Sequence, residues 1–95
     1  MSVKFEWDPK KANVNFSKHG VSFEEGMTVF SDPLARIFKD DMHSTDEQRE
    51  IIIGHSSRQR LLLVSFTVRE TTLRILSTRE VTAPERKDYE ENCEF

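Results

Sequence analysis

The chain has 95 residues, 36% apolar and 33% charged, with a formal net charge of −3. That length fits one domain. The longest apolar run, Leu61-Leu62-Leu63-Val64, falls far short of the roughly 20 residues that span a bilayer, which argues against a membrane protein. The acidic total disfavours indiscriminate binding to phosphate polymers, and a single cysteine, Cys93, leaves neither an internal disulfide nor a cysteine metal cluster. No stretch reads as a signal peptide, so a reducing, cytoplasmic setting is expected.

Residues 3–7 alternate and carry aromatics, predicting a first strand. Asp8-Pro9 is a helix start, with Asp capping free N–H groups and Pro at the first helical position. The helix is expected to reach His19, turn Ala12, Phe16 and Val14 inward, and stop at a left-handed Gly20. Ser22-Phe23-Glu24-Glu25 reads as a capping box opening a short helix that ends near Phe30. Ser31-Asp32-Pro33 forces a turn.

Four strands are expected next, at residues 34–39, 49–55, 60–68 and 73–81, with a polar loop over 40–47 and tight links at 56–59 and 69–72. The short links make the last three antiparallel, because a parallel return needs a longer crossover. Thr82-Ala83-Pro84-Glu85 is a further capping box, starting a final helix that reaches about Glu91. The order is β-α-α-β-β-β-β-α, an α+β domain with a mainly antiparallel sheet.

Charge is unevenly placed. Residues 58–79 hold five arginines (58, 60, 69, 74, 79) against one acid, Glu70, whereas residues 88–95 hold four acids and no Lys or Arg. Simple alternation puts Leu73, Ile75, Ser77, Arg79 and Val81 on one face of the last strand and Arg74, Leu76, Thr78 and Glu80 on the other. Arginines near strand ends can converge on a groove, and their planar forks suit phosphate. The plainer reading pairs them with Glu50, Glu70 and Glu80 at the sheet edge. Lys18-His19 similarly has two readings, as cations complementing a helix C-terminus or as a phosphate and proton handling pair. His43 falls in the acidic loop and reads as solvated, and His55 sits beside a hairpin. Tyr89 shares a helical face with Glu85 and Arg86; the plainer reading packs its ring on the sheet with the hydroxyl at the surface. No His-x-x-x-His spacing, phosphate-cradling glycine loop or serine elbow is present, so no metal or cofactor is expected.

These segments resemble the BrnT family of toxins from bacterial type II toxin–antitoxin modules. The resemblance rests on Phe5-Glu6-Trp7-Asp8-Pro9 with Lys11 and Asn15, on Lys18-His19-Gly20-Val21-Ser22-Phe23-Glu24-Glu25, and on Asp32-Pro33. It continues through Arg49, Ile53-Gly54, Arg74-Ile75-Leu76-Ser77-Thr78-Arg79 and Glu85-Arg86 with Tyr89. The chain departs from the family with Gly26 and Thr78, where Ala is common at both, and with Leu76 for Ile.

The resemblance implies a RelE-like fold and a metal-independent endoribonuclease that inhibits translation and growth. It also implies a BrnA-like antitoxin with a ribbon-helix-helix DNA-binding part, assembled two plus two with the toxin. In such nucleases the ribose 2′-OH attacks the adjacent phosphate, leaving a cyclic phosphate and a free 5′-OH. That chemistry needs a base, an acid and cations on the phosphorane. His19 and His55 are the candidate proton carriers, since imidazole titrates near neutrality, with Glu80 or Tyr89 as substitutes. Lys18, Arg49, Arg74 and Arg79 are the candidate charge stabilisers, and Arg58, Arg60, Arg74 and Arg86 the candidate RNA contacts. The alternative is a non-catalytic module that only docks a DNA-binding, antitoxin-like partner.

Overall fold

The computed structural model describes residues 4–39 and 48–91; His43 and Cys93 lie outside them. The elements are β1 (Lys4–Glu6), α1 (Pro9–His19), α2 (Phe23–Thr28) continued by a 3₁₀ turn (Val29–Ser31), β2 (Arg36–Lys39), β3 (Arg49–His55), β4 (Leu61–Arg69), β5 (Thr72–Glu80) and α3 (Ala83–Glu91). The expected order and α+β class hold, with strand ends shifted by a residue or two.

The sheet order is β1-β5-β4-β3-β2. β2 to β5 form an antiparallel meander. β1 pairs in parallel with β5, Lys4 to Glu6 lying beside Thr72 to Arg74. This return is possible because α1, α2 and three strands separate β1 from β5 in sequence, far more chain than a crossover needs.

α1 and α2 cover one face of the sheet. The core there is Val21, Phe23, Val29, Ile52, Leu62, Val64, Phe66, Leu73 and Ile75. Its aromatic rings meet edge-on, Phe30 with Phe66 at 5.1 Å and Trp7 with Phe23 at 6.0 Å between centroids, the geometry that ring quadrupoles favour. α3 covers one end of the opposite face, where Tyr89 joins Ile53, Leu61 and Leu63. Both faces of β3 and β4 are therefore buried at that end, which explains their continuous apolar runs.

β5 departs from simple alternation. Ser65 pairs with Ser77 but Phe66 pairs with Ile75, so Leu76 is an extra residue in a β-bulge. The bulge resets the pleat. Leu73 and Ile75 join Thr78 on the helical-pair face, while Arg74, Ser77 and Arg79 share the other, contrary to the alternation expected from sequence.

The helix starts follow their capping chemistry. Asp8 accepts from the Lys10 N–H at 2.9 Å, and Gly20 closes α1 at φ 69° with its N–H donating to the Phe16 carbonyl. Ser22 accepts from the Glu25 N–H at 3.0 Å. The reciprocal half of that expected box is absent from these bonds, because the Glu25 carboxylate turns to Ser56 and Arg60 instead. At α3 the box is complete: Glu85 Oε1 accepts from the Thr82 N–H at 2.8 Å and Thr82 Oγ1 from the Glu85 N–H at 3.4 Å.

Ala12 packs against the core as expected, but Val14 and Phe16 do not turn inward, and the residue that α1 buries is polar. Val14 is 65% exposed and Phe16 56%, Ala12 is half-buried, and the buried residue is Asn15. Its amide nitrogen lies 2.8–3.0 Å from the Val21 carbonyl, the Thr78 carbonyl and Thr78 Oγ1, and its oxygen accepts from the Thr78 N–H at 3.1 Å. One amide thus satisfies backbone groups on both sides of the α1–β5 seam, where an apolar side chain would leave them unpaired. Gly26 closes the same seam from α2: a Cβ there would sit 2.3 Å from Thr78 Cγ2. Gly26 and Thr78, two of the positions at which the chain departs from the family it resembles, are in contact, and the small residue makes room for the larger one.

Candidate functional site

β1 pairs with β5 only as far as Arg74. Beyond that point α1 lies along the outer edge of β5, and the two enclose an open cleft of about 360 Å³ lined by Lys10, Lys11, Val14, Asn15, Lys18, His19, Leu76 and Ser77. Lys11, Asn15 and Lys18 are spaced four and three apart, so they fall on one helical face. Asn15 pins the helix to β5, and the lysines flank it. Lys10, Lys11, Lys18 and His19 are all exposed, and none forms an ion pair among the described residues. The bulge presents Leu76 and Ser77 as the floor on the strand side.

The other candidates lie elsewhere. Arg49 and Arg74 stand in one row across the far face of the sheet, each opposite Thr67. Arg74 Nη1 bonds Glu6 at 2.5 Å across the parallel β1–β5 pair. Arg79 grips Glu85 with both guanidinium nitrogens at 2.8 Å. That fork, with the Thr82 cap, holds the Glu85 carboxyl down to about 2 against the opposing effect of burial. Arg60 reaches both carboxylate oxygens of buried Glu25 and, at 3.3 Å, the Gly20 carbonyl. Its hydrogen bonds hold Glu25 below the ordinary carboxylate range although burial pushes the other way. Arg60, Arg74 and Arg79 thus bond the carboxylates of Glu25, Glu6 and Glu85, and of the expected Glu50, Glu70 and Glu80 only Glu80 acts on one of them, through its charge on Arg60.

His55 sits at the end of β3 with Nδ1 3.6 Å from Asp32 Oδ2 and its ring edge-on to Tyr89 at 5.9 Å. Asp32 also accepts from the His55 and Leu34 backbone N–H groups at 2.7 and 3.0 Å. Burial raises its pKa, but these bonds outweigh that and leave it lowered. Tyr89 is 4% exposed, and its hydroxyl donates to the Leu34 carbonyl at 3.3 Å rather than standing free at the surface. Glu80 is exposed, on the same face as Thr78, and its charge reaches Arg60. Arg58 is exposed at the β3–β4 hairpin, and Arg86 is exposed on α3. The fold therefore brings Lys18 and His19 into one cleft and sets Arg49, Arg74, Arg79 and His55 on the opposite face of the sheet. Among the described residues, no three His, Cys, Asp or Glu side chains come together as a metal site, and no helix is long and apolar enough to cross a membrane.

A sequence model of the ribonuclease toxin BrnT, of type II toxin–antitoxin systems, matches residues 7–85. The chain belongs to the BrnT family. The crystal structure of the Brucella abortus ribonuclease toxin BrnT has the same fold, with a TM-score of 0.66 and 23% identity over 85% of this chain and 99% of that one. No curated protein sequence matches the chain.

Lys10 and Lys11 are additions to the cleft of this BrnT protein that sequence reasoning passed over. The signal was present in the Lys11–Asn15–Lys18 spacing. It was masked by treating Phe16 as part of the buried side of the helix, whereas Val14, three residues from Lys11 and four from Lys18, lines the cleft beside them.

Proposed function

We propose that this chain is a metal-independent endoribonuclease whose phosphodiester site is the α1–β5 cleft. The observation that carries this reading is the convergence of Lys10, Lys11, Lys18 and His19 on one open cleft with no carboxylate neutralising them among the described residues. The ribose 2′-oxygen attacks the adjacent phosphorus, the bond to the 5′-oxygen breaks, and a cyclic phosphate and a free 5′-OH result. His19 serves as the proton carrier. Lys18, aided by Lys11, holds the phosphoryl oxygens as charge builds on them. Such cleavage of messenger RNA would arrest translation and growth.

Membership in a type II family pairs the chain with an antitoxin. A BrnA-like partner with a ribbon-helix-helix DNA-binding part, joined two plus two, fits this role, and an acidic segment of it would be drawn to the same lysines. The test is incubation of purified protein with RNA in excess chelator. Fragments ending in cyclic phosphate are expected, with Lys18→Ala and His19→Ala each slowed ~10²–10³-fold. Full activity in both variants would remove the site from this cleft. Absence of any cleavage beside tight antitoxin binding would favour the non-catalytic docking module.

A further inference from the structure

We propose that Phe16 is a stacking platform for one base of the RNA, placed a single helical turn from His19. The inference rests on the reading above, in which Lys18 and His19 face the scissile phosphate. Phe16 is 56% exposed because Asn15, not the ring, docks α1 on the sheet. Residues three apart on a helix have Cβ atoms ~5–6 Å apart, so the ring lies about one nucleotide's reach from the imidazole. On the side of α1 away from the lysine cleft, Phe16 forms the wall of a groove of about 590 Å³ with Gly20, Glu24 and Arg58 among its lining. A Cβ added at Gly20 would meet nothing within 4 Å, so the helix end leaves open space beside the ring.

The charges sort the parts of a nucleotide. Arg60 in this groove is already held by Glu25, and exposed Glu24 and Arg58 offset one another, so the groove has no net charge, while the lysines attract phosphate to the cleft on the other side of the helix. A base laid on Phe16 keeps its phosphate over His19, and its exocyclic amine can meet the Glu24 carboxylate. Arg58, at the rim, is available to the next phosphate or to the free face of the base. Aromatic stacking serves every base through its π-face, so the ring itself tolerates any base and only the Glu24 contact favours those with an exocyclic amine.

The experiment titrates the full-length protein with a 2′-O-methyl RNA oligonucleotide carrying 2-aminopurine. The missing hydroxyl blocks attack, and the fluorescence of the base falls when it stacks. Wild type and Phe16→Tyr are expected to quench the probe and bind alike. Phe16→Ala and Phe16→Leu are expected to lose the quench and bind about tenfold more weakly, with melting temperatures little changed because more than half of the residue is in solvent. Equal binding by wild type and Phe16→Ala overturns the inference while leaving the nuclease reading intact. So does full rescue by Leu, which would mean apolar contact without stacking. Unchanged oligonucleotide binding together with lost antitoxin binding in Phe16→Ala overturns it in favour of a protein-docking ring. A wild-type protein that neither binds the probe nor cuts RNA sinks the nuclease reading and this inference with it.

Discussion

Two sets of cations in this protein differ in their partners. Arg60, Arg74 and Arg79 each hold a carboxylate, Glu25, Glu6 and Glu85. Lys10, Lys11, Lys18 and His19 line a cleft without one. Guanidinium forks lock to carboxylates in fixed geometry, whereas an ammonium on a flexible stem is a mobile point charge. The difference teaches that a basic count in the sequence does not locate a basic site: Arg60, Arg74 and Arg79 tie elements together through carboxylates, whereas the α1 cations line an open cleft. If this division is right, removing an arginine should cost stability and removing α1 cations should cost catalysis.

The largest stability effect belongs to Glu25, 7% exposed and tied to Arg60 and Ser56. Arg60→Ala strands a buried carboxylate and should destabilise the fold by about 3–5 kcal/mol in urea unfolding, the usual cost of removing one partner of a buried pair. A loss below about 1 kcal/mol would reclassify Arg60 as a surface charge and restore it as an RNA contact. The catalytic counterpart is Lys18→Ala or His19→Ala. Each should keep the wild-type unfolding midpoint while losing ~10²–10³ in cleavage rate. Arg79→Ala separates the populations most directly, since the division expects its stability to fall and any loss of rate to follow from that fall. A stable Arg79→Ala protein with no activity would move Arg79 into the site.

Much of the fold could be read from local chemistry. The caps at Asp8, Ser22 and Thr82, the stop at Gly20 and the turn at Asp32 are each decided by bonds within a few residues. Pattern reading failed where distant contacts decide. The bulge at Leu76 has no local mark such as glycine, yet it brings Arg74 onto the face of Ser77 and Arg79. Asn15 was not among the residues expected to turn inward, because its partners, Val21 and Thr78, lie outside the helix. Of the candidate site, Lys18 and His19 were legible as a helix-end pair, but the cleft they line depends on where β1 stops. The parallel pairing of β1 with β5 was equally hidden, being the contact of longest sequence span in the sheet.

The α1–β5 seam offers a middle-sized test, because it carries the cleft without supplying its charge. Gly26→Ala drives a methyl into Thr78 Cγ2 and should cost about 1–3 kcal/mol through overpacking. Adding Thr78→Ser removes the offending methyl and keeps the hydroxyl that Asn15 bonds. The double variant should therefore recover most of the loss, a coupling of opposite sign to additivity. If both substitutions simply add, the contact between the two positions is not what selected glycine. Cleavage should track the seam less steeply than stability, since Lys18 and His19 remain in place.

The smallest effect expected comes from the far face and depends on pH. Glu85 has its carboxyl lowered from an ordinary 4.5 to about 2 by Arg79, so it binds its proton less readily folded than unfolded. A depressed carboxyl contributes stability in full above its unfolded value and loses it as pH falls through the folded one. The contribution should therefore be complete above about pH 4.5 and decline toward about pH 2. Both side chains are about one-third exposed, so screening reduces the worth of the pair to about 1–2 kcal/mol. Glu85→Gln keeps an oxygen to accept from the Thr82 N–H but removes the charge and, with it, one of the two acceptors of the Arg79 fork. The difference in unfolding free energy between wild type and Glu85→Gln should be about 1–2 kcal/mol at pH 6 and shrink steadily between pH 4.5 and pH 2. Glu25 and Asp32 are lowered too and will make both proteins acid-labile, which is why the difference, not either curve, is the measurement. A difference that stays constant across that range would mean that the amide costs the cap rather than the charge, and that Arg79 is less firmly held than its two bonds suggest.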